Sequence, residues 1–228
     1  RGKASLHHAL TSELPNTSRK ERESRGLAIL AGDVLHAGAM EKFINMKIPP
    51  AKHNKILRSV TKTALKTGTG AFEEVQTRTR TPGELNLEDL KQIYTRKTAE
   101  YTFVCPLRLG AIMADMNTEN KTHLLKAGRE AGVAYQMRDD LNDLSTFFEK
   151  NGTTPKISFS ETSITLPIFI AYQHAGMQGK AWLDYIYHQR KTDKNTREKL
   201  QKMLLECDAR EQTEKFINEG CENALKAV

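Results

Sequence analysis

The chain is poor in the residues that staple, span or stack. Its 228 residues hold one tryptophan and three cysteines. Cys105, Cys207 and Cys221 are odd in number and stand at no metal-ligand spacing, so they are read as packing residues in a reducing, cytoplasmic setting rather than as a disulfide framework. Long apolar runs are missing too. The longest, Ile164 to Tyr172, contains Pro167 and is far too short to cross a bilayer, and no signal peptide is visible, so no stable membrane anchor is expected. No Gly/Ser linker or internal repeat divides the sequence, which is read as one domain over residues 1–228. Runs that alternate in the strand manner are also absent, while apolar residues recur at helical spacing almost throughout. The expected fold is all-α.

Charge narrows the partners. Lys and Arg number 35 against 28 acidic residues, a net +7, but the basic residues are spread along the chain without aromatic interleaving, so no nucleic acid is expected. An anionic small substrate suits the same excess. Gly68-Thr-Gly70 is too short for a phosphate loop, and the Gly-x-x-x-x-Gly-Lys-Ser/Thr signature does not occur. His7 and His8 lack further ligand-type residues at metal spacing, so no metal is assigned to them.

The spacing predicts a helix over Gly26 to Ile44, with Leu27, Leu30, Val34 and Ala37 inward and the charged segment 19–25 as a solvated helix start. Asp33 is read as a structural hydrogen-bonding group. A second helix is expected near Asn54 to Thr67, and Pro82-Gly83 marks a turn. Asn86 is placed to cap a long helix beginning at Leu87, whose inward stripe runs Leu90, Tyr94, Lys97, Tyr101 and Val104. A further helix is expected from Thr118 to Lys150, stopped by Asn151-Gly152. Three more helical stretches follow, near Leu166 to Met177, Lys180 to Gln189 and Thr196 to Ala227.

The helix from Thr118 carries the most informative pattern. At about 100° per residue, Gly132, Gln136, Asp139 and Asp143 fall within roughly 60° of one another, with Asp140 about 60° further round. This acidic face continues the line of Leu125 and Gly128 toward the core, where carboxylates stay ionised only if a cation neutralises them. All-oxygen ligands suit a hard divalent ion such as Mg²⁺. Lys97, in phase with Leu90 and Tyr94, brings an ammonium group among apolar neighbours, where it either snorkels outward or meets an anion. Carboxylates at one point of a cavity and a lysine at another suit a metal-bound diphosphate.

These residues carry a family resemblance. Residues 128–143 resemble the second aspartate-rich motif of trans-isoprenyl diphosphate synthases, Phe-Gln-x-x-Asp-Asp-x-x-Asp, with Tyr135 for the phenylalanine. Arg1-Gly-Lys-Ala-Ser-Leu-His resembles the family's Arg-Arg-Gly-Lys-Pro-x-x-His segment, and Ile29-Leu-Ala-Gly-Asp33 its Ile-Leu-Ala-Gly-Asp helix. Lys97-Thr98-Ala99 with Leu109-Gly-Ala111 resembles the Lys-Thr-Ala helix, and Thr165-Leu-Pro167 the Thr-Leu-Pro element. These pieces occur in the family's order across nearly the whole chain.

The resemblance implies an isoprenoid-synthase-like helical bundle around a central cavity, and a Mg²⁺-dependent, head-to-tail condensation of isopentenyl diphosphate with an allylic prenyl diphosphate, carried out by a homodimer. Asp139 would be the principal metal ligand, with Asp140 and Asp143 binding metal or metal-bound water. Lys97 and Thr98 would contact the leaving diphosphate, Gln136 would face the reacting carbons, and Arg1 would bind isopentenyl diphosphate. The family's later diphosphate-binding lysine falls on Thr153; Lys156, followed by Glu161, is taken as its substitute, with Lys150 as runner-up. The family's first motif, Asp-Asp-x-x-Asp, precedes the segment that opens this chain, which is therefore expected to be a piece of a longer protein. Two alternatives are a non-catalytic or regulatory subunit of a heteromeric synthase and a terpene cyclase. The cyclase pattern, Asn/Asp-Asp-x-x-Ser/Thr-x-x-x-Glu, fails in both registers. From Asn142 it puts Lys150 in the glutamate position, and from Asp139 it puts Asp143 in the hydroxyl position.

Overall fold

Capped segments with apolar residues at helical spacing fold into helices, and no strand interrupts them among the described residues. A computed structural model of the chain describes residues 4–148, 163–190 and 193–228. Two compact units are present, Arg1–Leu57 and Arg58–Val228. Arg1, Lys150, Asn151-Gly152, Thr153 and Lys156, all singled out in the sequence, lie outside the described residues.

The first unit contains α1 (Leu6–Glu13), α2 (Lys20–Ile44) and the start of α3 (Pro50–Thr77). The Thr11 hydroxyl donates to that of Ser24 across 2.8 Å, tying α1 to α2 at a buried point. α2 begins within the charged segment 19–25, but the face expected to turn inward does not: Leu27, Leu30 and Val34 are 44%, 60% and 70% exposed. Ile29 and Leu35, on other faces of α2, are exposed as well. Helical period says which residues share a face, not what lies against it. Asp33 is exposed too.

The second unit holds the rest of α3, then α4 (Leu87–Tyr94), a π-helical segment (Thr95–Val104), α5 (Cys105–Met113) and α6 (Thr118–Asp143), followed by α7 (Leu166–His174), α8 (Met177–Gln189), α9 (Lys194–Glu206) and α10 (Ala209–Lys226). Asn86 caps α4 as expected. Its side chain accepts from the Asp89 N–H at 2.9 Å, and the Asp89 carboxylate accepts in return from the Asn86 N–H. The expected stripe then loses phase in the π segment, where i→i+5 bonding adds roughly one residue per turn. Leu90, Tyr94 and Val104 are buried, but Tyr101 is 55% exposed and Glu100 takes the buried place at 2%. A buried carboxylate needs a counter-charge. Lys66 Nζ supplies it at 2.7 Å and Arg108 at 3.6 Å.

α6 lies directly on the π segment at Gly132. A Cβ there would stand 2.5 Å and 2.6 Å from Cβ and Cα of Ala99, so the contact depends on the missing side chain. α6 ends at Asp143, earlier than the expected Lys150, because Leu144 and Phe147 are driven into the core and the chain turns into a short 3-10 turn over Ser145–Phe147. The expected helix over 196–227 is likewise two. Leu204 and Ala209 are both fully buried, and the change of direction between them falls on Asp208, in the left-handed region at φ 48°. The core joins Tyr94, Met137 and Leu141 to Phe147, Leu166 and Leu183.

Candidate functional site

α6 presents Gln136, Asp139, Asp140 and Asp143. Asp139 is half-buried and Asp143 exposed, whereas Asp140, the carboxylate that helical phase set apart, is turned inside and only 6% exposed. Both of its oxygens are engaged. The Tyr94 hydroxyl donates to Oδ2, and Gln136 Nε2 donates to Oδ1 at 2.9 Å. Gln136 Oε1 in turn accepts from the Thr98 hydroxyl at 2.5 Å, and the Tyr94 oxygen accepts the Leu166 N–H at 2.9 Å. Leu166 opens α7, where the first amides have no partner within the helix, so the tyrosine caps it from across the core.

Burial pushes the Asp140 carboxyl up to about 6; the bonds from Tyr94 and Gln136 and the charge of Lys97 act the other way. Burial, and then the charge of Asp140, holds the Tyr94 hydroxyl well above its usual range, which keeps it a donor. Lys97 finds its anion in Glu74 on α3, with Nζ 2.5 Å from Oε1 and both side chains half-buried. Arg96 pairs with Glu73 beside it.

The structure thus brings together Lys97, Thr98, Gln136 and Asp140, with Asp139 and Asp143 flanking them on α6, while Arg1 and Lys156 fall outside the described residues. The Gln136 amide is tied at both ends to protein groups. Among the described residues no three His, Cys, Asp or Glu side chains gather closely enough to hold a metal ion unaided. Sequence reasoning missed Glu74 and took Tyr94 for a core residue. Gly70 was the available signal for the first: a Cβ there would meet the Lys97 backbone nitrogen at 2.5 Å, and that closeness places the acid one turn further on within reach of the lysine.

The sequence profile described as Polyprenyl synthetase matches residues 1–204. The chain belongs to the polyprenyl synthetase family. This family member is 29% identical over 154 residues to geranylgeranyl pyrophosphate synthase 12, chloroplastic, of Arabidopsis thaliana, covering 65% of the chain and 42% of that protein. It is 28% identical over 153 residues to farnesyl diphosphate synthase of Bacillus subtilis, covering 65% and 50%. The matched stretch therefore spans half or less of these curated relatives. A crystal structure of geranylgeranyl pyrophosphate synthase from Corynebacterium glutamicum, complexed with isoprenyl diphosphate and magnesium, superposes with a TM-score of 0.81 at 20% identity, over 100% of this chain and 64% of that one. For the geranylgeranyl pyrophosphate synthetase of Pyrococcus horikoshii the TM-score is 0.76 at 21% identity, over 97% and 68%. At such identities the likeness establishes the all-helical fold.

Proposed function

We propose that this chain forms the downstream part of a Mg²⁺-dependent prenyltransferase that joins isopentenyl diphosphate to an allylic prenyl diphosphate head to tail. The observation that carries the reading is the Thr98–Gln136 bond. It sets the Lys-Thr-Ala element against the aspartate-bearing face of α6, so that a cation and carboxylates are held in one place. The donor set fits Mg²⁺, which is commonly held by one or two carboxylates while substrate phosphate and water complete its shell. Asp139 and Asp143, one turn apart on a single helix, are the pair that would hold it. When bound, Mg²⁺ supplies positive charge that stabilises a departing diphosphate.

The chain's own residues do the remainder. Lys97 presents its ammonium to the outer diphosphate oxygens, exchanging Glu74 for the substrate, and Thr98 orients that segment through Gln136. The apolar core beneath the quartet keeps water from the developing allylic cation. The names of the relatives, a geranylgeranyl pyrophosphate synthase and a farnesyl diphosphate synthase, support prenyl diphosphates as the substrate class. A homodimer acting in the cytoplasm completes the proposal; no helix among the described residues is long and apolar enough to cross a membrane.

The test uses the full-length protein with Mg²⁺, isopentenyl diphosphate and allylic diphosphates of increasing length. Asp139→Asn keeps shape and deletes charge, so turnover should fall by orders of magnitude with the circular dichroism spectrum unchanged. Wild-type turnover in a folded Asp139→Asn protein would defeat the assignment. Inactivity of the wild type together with retained binding of Mg²⁺ and diphosphate would point instead to a non-catalytic subunit.

A further inference from the structure

The end of α4 and the π segment are joined to α6 by a circuit of side chains that the backbone from Tyr94 to Thr98 closes. Tyr94 and Thr98 stand one turn apart at the start of the circuit, and Gln136 and Asp140 one turn apart on α6. The bonds run Tyr94 to Asp140, Gln136 to Asp140, and Thr98 to Gln136. All four side chains are 4–6% exposed, in surroundings where a polar group without a partner is costly. The Tyr94 hydroxyl also receives the Leu166 N–H, so a single oxygen fixes three elements: the residue that opens the Lys97 segment, the aspartate helix and the first turn of α7. Gly132 removes the freedom of α6 to slide, since its backbone already touches Ala99. What the circuit adds is rotation. With Asp140 locked inward, Asp139 and Asp143 are held at a fixed angle about the α6 axis relative to Lys97.

We propose that Tyr94 is a positioning residue that acts through Asp140, and that Asp140 serves as the inner anchor of the aspartate helix and not as a metal ligand. The inference rests on the proposed function, because it is the alignment of Asp139 and Asp143 with Lys97 that the anchor secures. Each Asp140 oxygen already accepts a hydrogen bond, one from a phenol and the other from an amide, and both donors are buried with it. Tyr94→Phe keeps the ring that fills the core and removes only the hydroxyl. The Leu166 amide and one Asp140 oxygen then lose their shared partner, and the helix becomes free to rotate by a few degrees.

The experiment measures kcat, the allylic diphosphate KM and the Mg²⁺ concentration giving half-maximal rate. It compares full-length wild type, Tyr94→Phe, Asp140→Asn, the double variant and Asp139→Asn, at a temperature where circular dichroism reports each one folded. Tyr94→Phe is expected to lower kcat by about tenfold or more while KM stays within about threefold; with circular dichroism reporting the variant folded, a smaller folded fraction does not account for the fall. Asp140→Asn should lower kcat with its Mg²⁺ midpoint within about threefold of wild type, whereas Asp139→Asn should move that midpoint by about tenfold or more. The double variant should be no slower than the slower single one, since both act through the same Tyr94–Asp140 contact. Wild-type kcat in Tyr94→Phe, multiplying effects in the double variant, or an Asp140→Asn midpoint displaced as far as that of Asp139→Asn would each overturn the inference while leaving the prenyltransferase reading intact. An inactive wild type would overturn both. Should Tyr94→Phe not fold, the kcat and Mg²⁺ midpoint of Asp140→Asn decide alone.

Discussion

Replacing Asp140 by Asn should remove most of the pH dependence of folding stability between about pH 4 and pH 7. In the fold, burial raises this carboxyl from 3.8 to about 6. The native state therefore holds the proton more tightly than the unfolded chain. Its contribution to stability is fully present below the unfolded value and is lost as the pH rises through about 6. A displacement of about two units, at about 1.4 kcal/mol each, makes the loss about 3 kcal/mol. Asn cannot ionise and gives up one acceptor toward Tyr94 or Gln136, a cost of about 1 kcal/mol that does not vary with pH. The measurement is urea unfolding followed by circular dichroism in metal-free buffer, stepped in pH for wild type and Asp140→Asn. Wild type should lead at the acid end and lose about 3 kcal/mol relative to the variant by neutral pH. Parallel curves would refute the upward shift that burial gives this carboxyl.

Two further outcomes follow from contacts around the site. Gly132→Ala should destabilise, because overpacking against the Ala99 backbone costs about 1–3 kcal/mol and exceeds the gain in helix propensity of about 1 kcal/mol. Gly110→Ala, on α5 with open space around the new methyl group, should stabilise by about 0.5–1 kcal/mol; urea midpoints of the two that moved in the same direction would contradict the packing described. Lys97→Ala breaks a half-buried ion pair with Glu74, a loss of about 1 kcal/mol or less. Its kcat/KM for allylic diphosphate should nonetheless fall about a hundredfold or more, and normal kinetics with a large drop in melting temperature would make this lysine structural.

What the sequence determined is what depends on near neighbours along the chain. Asn86 and Asp89 cap one another because both partners lie within one turn, and Gln136, Asp139 and Asp143 share a face because helical period alone puts them there. The order of motifs carried the family in the same way, with no need of coordinates. Tertiary packing decided the rest. The π segment moved Glu100 inward and Tyr101 outward, a change of phase set by contact with neighbouring helices and invisible to a fixed period. Leu144 and Phe147 ended α6 early because the core claimed them, and Asp208 split the last helix so that Leu204 and Ala209 could both be buried. The three aspartates of α6 differ in burial for the same reason. Only Asp140 meets Tyr94, from 46 residues away, and a partner at that distance is chosen by how the helices pack and not by anything readable around either residue.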